Sequence, residues 1–259
     1  MQKIKYGVCL AIAMLAGLSS VPAKAQCALS VGWFNFPPYS TAEAGADPTG
    51  LDIELARAVA DAAGCQLRFQ ERSWTAILRG VEDGSIDMAT SASRTPEREA
   101  FAYYASSYRQ EQMRLVVRTG DAAKHPLADL GDIVKDSLRI GASKSFYYGE
   151  RFAELEKDAA FSALVDVANE DAQHLGKLLA GRLFGFLTDP LILPPLLKAK
   201  GAEGQVELHP IKVLDHPVHM IFSRKSVKPE ILERIETATR ELKASGKLDA
   251  IVARYGQVN

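Results

Sequence analysis

Thr95-Pro96-Glu97-Arg98 sets a guanidinium inside the first turn of an apparent helix. Threonine is a favoured N-cap and proline a favoured first helical residue. Arg98 would lie beside free backbone N–H groups, and its planar fork suits a carboxylate. Asp189-Pro190 repeats the cap-and-proline pair after the apolar run Leu183–Leu187. Catalytic signatures are missing: there is no G-x-S-x-G, no H-E-x-x-H and no Cys/His nucleophile spacing. His209, His216 and His219 are numerous enough to ligate zinc, yet no acidic or thiol partner stands near them in a known pattern.

The elements that must carry these residues alternate short apolar runs with helical patterns, which predicts βαβ units and parallel sheets. In the first half, strands are expected at Leu29–Gly32, Cys65–Glu71 and Ile86–Thr90, with helices over Leu51–Ala63 and Trp74–Glu82 between them. A second block has strands at Leu115–Val117, Leu138–Gly141, Ala163–Val167, Leu183–Leu187 and Met220–Phe222. Its helices are expected at Asp129–Val134, Asp171–Ala180, Glu230–Leu242 and Lys247–Tyr255. Residues 79–91 and 178–189 echo each other as helix, glycine, strand, ending on Thr90-Ser91 and Thr188-Asp189. In open α/β sheets ligands bind at such strand ends. Two lobes aiming those ends at a common cleft would form a clamshell; a single α/β domain with two similar turns is the alternative.

The 259 residues allow one large or two modest domains, and the composition is that of an ordinary globular protein. A net charge of −1 argues against a nucleic-acid partner. Lys3 and Lys5, the apolar run Gly7–Leu18 and Ala23-Lys24-Ala25 read as a secretory signal peptide over 1–25, cut near Ala25. Without it, 28 basic residues face 32 acidic ones, a charge near −4. Cys27 and Cys65 remain, an even pair in an oxidising compartment at the starts of two expected strands. A disulfide forms if those strands are parallel neighbours; two separate buried thiols are the alternative. Later segments lack 18 consecutive apolar residues, so a soluble chain is expected.

Four stretches in order resemble a known family. They are Val31-Gly32 with Phe36-Pro37-Pro38-Tyr39, then Thr49-Gly50-Leu51-Asp52-Ile53-Glu54-Leu55-Ala56. Gly84-Ser85-Ile86-Asp87 through Thr95-Pro96-Glu97-Arg98, and Lys247-Leu248 to Arg254-Tyr255-Gly256, complete the set. Together they resemble the bacterial periplasmic solute-binding proteins of the polar-amino-acid class, family 3, over Leu29 to Tyr255. The resemblance implies an α/β, two-lobed type II periplasmic-binding-protein clamshell, with two βα sheets joined by two hinge strands. The crossings would fall near Arg109–Gln112 and Asp215–Val218. Lobe one would then be 26–109 with a return over 216–259, and lobe two 110–215. It further implies periplasmic localisation, a monomer, a small-molecule ligand, a membrane permease of an ABC transporter as partner, and no cofactor or metal.

Within that resemblance, the ligand is a zwitterion whose ends need a cation and an anion. Arg98 is the expected carboxylate partner. Asp189 is the expected ammonium partner, alongside its local capping role. Thr90, Ser91 and Ser93 match the polar strand end, and Phe36 and Trp74 the side-chain walls. Ser145 and Tyr147 stand in the lobe-two loop that usually makes a second carboxylate contact; here Ser145-Phe146-Tyr147 replaces Gly-Thr-Thr. The first loop, Trp33-Phe34-Asn35, lacks the aspartate that serves cationic side chains, so an aromatic or apolar ligand is favoured. The alternatives are a non-amino-acid anion, a sensory receptor, and an enzyme resembling cyclohexadienyl dehydratase. That enzyme's glutamate is replaced here by Ile192, which cannot donate a proton.

Overall fold

A computed structural model describes residues 27–256. The leader expected over 1–25 lies outside the described residues. The chain opens with β1 (Cys27–Trp33), α1 (Leu51–Ala62), β2 (Cys65–Glu71), α2 (Trp74–Asp83), β3 (Met88–Ser93), α3 (Pro96–Glu99) and β4 (Ala102–Tyr104). The long strand β5 (Arg109–Arg118) leads to α4 (Asp121–Lys124), β6 (Ile140–Ser143), α5 (Glu150–Leu155), α6 (Ala159–Ser162) and β7 (Val165–Ala168). Then follow α7 (Asp171–Leu179), β8 (Gly185–Thr188) and α8 (Leu193–Lys200). The chain returns through β9 (Val206–Ser223) to α9 (Pro229–Ala244) and α10 (Lys247–Gly256). Leu130–Val134 is a 3-10 turn capped by Asp129.

The strand order is β2-β1-β3-β9-β5-β8-β6-β7, with β4 also pairing β9. β1, β2 and β3 are parallel, as are β6, β7 and β8. The antiparallel pair β5–β9 joins the two halves. The two expected sheets are therefore one continuous hydrogen-bonded path, because the connecting strands pair side by side along their length.

Apolar side chains collect in cores on either side of that pair. Leu29, Val31, Leu55, Val59, Met220 and Phe222 fill one side, with Ile77, Val81, Ile86 and Ile221 on the other face of the same strands. Leu115, Ile133, Ile140, Phe152, Phe161 and Leu187 fill the second half, with Leu175, Leu178 and Phe186 beneath α7. Ile192 belongs to the first core although it follows β8.

Several boundaries differ from the expectations drawn from periodicity. β3 starts at Met88, two residues later than expected, and just before it Asp87 turns its carboxylate onto the N–H and hydroxyl of Ser30, both at 2.8 Å. β9 runs 18 residues where only Met220–Phe222 is apolar enough to register. Its earlier part alternates buried and exposed residues and is held by pairing with β5. β5 is likewise ten residues long. The helices α5, α6 and α8 lack a clear apolar period and form against neighbours.

Cys27 and Cys65 are register partners at the starts of β1 and β2 and form a disulfide, with Cα atoms 4.5 Å apart. Gly50 has φ +115°, and a Cβ there would lie 2.6 Å from the Tyr39 carbonyl oxygen. That close approach lets Leu51 and Asp52 donate their N–H groups to the carbonyls of Pro38 and Tyr39, each at 3.0 Å. Two unsatisfied donors of the helix start are thereby met, and the aromatic loop is tied to α1.

Candidate functional site

A small, partly open cavity of about 20 Å³ lies between the halves. Phe34, Phe36, Trp74, Ser91, Ser93 and Arg98 come from the first half, Phe146 and Tyr147 from the second, and Glu111 and Met113 from β5. The aromatic walls touch one another. Phe34 and Phe36 are 5.0 Å apart between ring centroids, and Phe36 meets the edge of Phe146 at 5.7 Å.

Thr95 caps α3, accepting from the Arg98 N–H at 3.3 Å, and Pro96 is the first helical residue. Arg98 is buried. Its Nη1 donates to the Ser93 carbonyl at 3.0 Å, and its Nη2 donates across the cleft to the Ser145 carbonyl at 2.9 Å. Trp74 Nε1 donates to the same carbonyl at 3.2 Å, and the guanidinium lies 5.5 Å from the Trp74 ring. Ser145, expected as a donor, thus contributes a backbone acceptor; its φ of +64° turns the carbonyl toward Arg98.

Beneath the cavity lies an ion pair. Arg109 Nε and Nη2 donate to the two carboxylate oxygens of Asp52 at 2.7 and 2.9 Å, and both side chains are about 1% exposed. Tyr108 Oη donates to Asp52 at 2.8 Å. The Ser91 hydroxyl donates to Asp52 and accepts from Arg109. Ser91 serves this network as well as the cavity wall.

The structure brings Phe36, Trp74, Ser91, Ser93, Arg98 and Tyr147 to the cavity and sets Ser145 against Arg98. Thr90 is half-buried and does not line it. Asp189 does not line it either. Its two oxygens accept from the N–H groups of Gln112 at 3.0 Å and Leu191 at 2.9 Å, so it caps the turn at Pro190 and ties it to β5. Phe34, Met113 and Glu111 are the lining residues the sequence did not mark. Glu111 and His216 are register partners in β5 and β9. Glu111 stands between Gln110 and Gln112 in a polar stretch of the crossing strand, so the sequence around it gives no local signal of burial. Burial pushes its carboxyl up to about 7, with Arg109 opposing and Asp189 and Asp52 adding to the rise. Burial lowers the His216 imidazole to about 4, aided by Arg109 and His219. At neutral pH its 3.5 Å approach to Glu111 is therefore no ion pair.

The other histidines point elsewhere. His209 Nε2 meets the His125 carbonyl at 3.0 Å, and His219 Nδ1 meets that of Ala105 at 2.8 Å. Among the described residues, no group of three or more His, Cys, Asp or Glu side chains could hold a metal ion. None of the described helices is long and apolar enough to cross a membrane.

Residues 29–258 match the bacterial extracellular solute-binding proteins, family 3. The chain belongs to that family. Among curated relatives, it is 24% identical to a membrane-bound lytic murein transglycosylase F of Alcanivorax borkumensis, over 81% of this chain and 44% of that protein. The chain thus spans less than half of that enzyme's length. It is 18% identical to the arginine-binding extracellular protein ArtP of Bacillus subtilis, over 85% of this chain and 82% of that one. A histidine kinase sensor domain similar to periplasmic binding proteins superposes with a TM-score of 0.74 at 17% identity, covering 89% of this chain and 96% of that domain. At that identity the likeness establishes the fold: this family 3 chain is a two-lobed periplasmic-binding-protein structure.

Proposed function

We propose that this family 3 chain is the substrate-binding component of a bacterial ABC importer, capturing a small zwitterionic solute, an amino acid, in the periplasm as a monomer. One observation carries the reading. Arg98 is a buried guanidinium on the cleft wall, with one amino group fixed by Ser93 and the other directed across the cleft. A ligand carboxylate that displaced the Ser145 carbonyl would meet the Arg98 guanidinium with a full negative charge in place of a neutral acceptor. The lobes would be 26–109 with 216–259, and 110–215. Their rotation would be absorbed where β5 and β9 cross, near 109–112 and 215–218. Closure would then present a joined face to the permease. An enzymatic role is not proposed: Ile192, where the dehydratase has its proton donor, is buried in the first core. The transglycosylase likeness covers too little of that enzyme to carry its activity over.

The test is a thermal-shift screen of mature protein, unfolded and refolded to remove carried-over ligand, against the twenty amino acids. The expected result is a ligand that raises the melting temperature, corresponding to about 2.7 kcal/mol at a hundredfold excess over Kd. Arg98→Ala should abolish that shift. Silence from all twenty on well-folded protein overturns the reading.

A further inference from the structure

Two ionisable groups of opposite sign face the cavity, Arg98 and Glu111, and only Arg98 has its hydrogen bonds made. Glu111 is 5% exposed. Among the described residues its carboxyl oxygens form no hydrogen bond. The nearest cation, Arg109, has Nε and Nη2 committed to Asp52 and comes no closer than 3.7 Å. His216 Nε2 is 3.5 Å away but is already engaged with the Ser93 hydroxyl at 2.8 Å. A buried carboxyl whose one cationic neighbour is a long, shared contact to Arg109 is incompletely compensated, so it can take a cation from outside the chain. Asp189 is in the opposite condition, with both oxygens met by backbone N–H groups and its side chain off the cavity.

We propose that Glu111, and not Asp189, receives the cationic end of the ligand, so that the substrate class is a small carboxylate bearing a protonated nitrogen, held between Arg98 and Glu111. The proposal rests on the amino-acid reading above and adds which acid selects the ligand. The ring faces of Phe34, Phe36 and Trp74 add favourable surroundings for a cation. The charged and titratable groups around Glu111 come from every element packed on it. Arg109 in β5 and Arg98 in α3 favour its ionised form, while Asp52 in α1 and Asp189 after β8 oppose it. His216 in β9, Tyr39 and Tyr148 are neutral near pH 7. With burial holding a proton on Glu111 in part of the molecules, a ligand cation displaces that proton. Binding near pH 7 is then accompanied by proton release.

The experiment is titration calorimetry at pH 7 in phosphate and in Tris, whose ionisation heats differ. The probes are the twenty L-amino acids and their deaminated carboxylic acids, on the wild type, Glu111→Gln and Asp189→Asn. Glu111→Gln should weaken the bound amino acid at least about tenfold and abolish the buffer-dependent heat. It should leave the deaminated acid's affinity unchanged or improved. Asp189→Asn should keep the proton release and change affinity less than about threefold. Glu111→Asp, which keeps the charge, should retain proton release and guards against a folding defect. Amino-acid binding by Glu111→Gln within about threefold of wild type, with the buffer dependence intact, overturns the proposal while sparing the reading beneath it. Transfer of the loss to Asp189→Asn does the same. Absence of amino-acid binding by the wild type overturns both.

Discussion

Asp52 and Arg109 meet fork to fork under the cavity, with Tyr108 and Ser91 completing the carboxylate's shell. Such a pair has lost its hydration, so removing one member leaves the other buried and unpaired. Arg109→Met should lower stability by about 3–5 kcal/mol in chemical denaturation. A loss under 1 kcal/mol would mean water reaches Asp52. Glu111 and His216 set opposite pH slopes. The Glu111 carboxyl is raised to about 7 from the ordinary 4.5, so the native state holds a proton the unfolded chain has lost. Its contribution falls as pH climbs from about 4.5 through 7. His216 is lowered to about 4 from the ordinary 6.5, so the unfolded chain takes the proton first and stability rises over about 4 to 6.5. The two largely offset each other where they overlap. The stability of Glu111→Gln relative to wild type should therefore increase from pH 4.5 to 8. A pH-independent difference would refute the raised carboxyl.

At the scale of elements, β1 and β2 are fastened at their first residues. The Cys27–Cys65 bridge closes a loop of sequence separation 38 that contains α1 and the aromatic loop. Chain-entropy arguments give such a loop about 4 kcal/mol of stabilisation through the unfolded state. Reduction, or the double change to serine, should lower the denaturation midpoint accordingly while leaving far-ultraviolet dichroism native. The native register of β1 and β2 is carried by six residue pairs besides the covalently linked one. Strands were legible here because apolar alternation and glycine stops are local. β9 was not, because its first two-thirds is held by β5 rather than by its own apolarity.

For the whole molecule, the cleft is bridged by Ser145 on Arg98, Trp74 and Thr75 and by Phe146 on Phe36, while Ile192 of the second half packs into the first core. Phe146 packs against the cores of both halves. If the proposed solute binds in a cavity this small, its exchange would be eased by the halves parting, and among the described residues β5 with β9 is the only strand pair spanning them. Small-angle scattering should show a larger radius of gyration for ligand-free Phe146→Ala than for the wild type saturated with ligand. Identical profiles, with and without ligand in both proteins, would remove closure from the mechanism.

The chain's own sequence determined whatever depends on short separations. The parallel strands of each half, the caps at Thr95 and Asp189 and the candidate disulfide pair follow from periodicity, N-cap chemistry and cysteine count. The aromatic loop and the arginine of the cleft were marked by motif. Tertiary structure alone decided which charges are already used. Asp52 and Arg109 are 57 residues apart, and their pairing follows from α1 packing beside the first crossing strand. Asp189 kept its capping role because Gln112, 77 residues away, supplied the second donor. Glu111 stands out because its neighbours' hydrogen bonds go elsewhere. A side chain's residue type states what it could bind, but burial and the prior commitments of its neighbours settle what remains for a ligand.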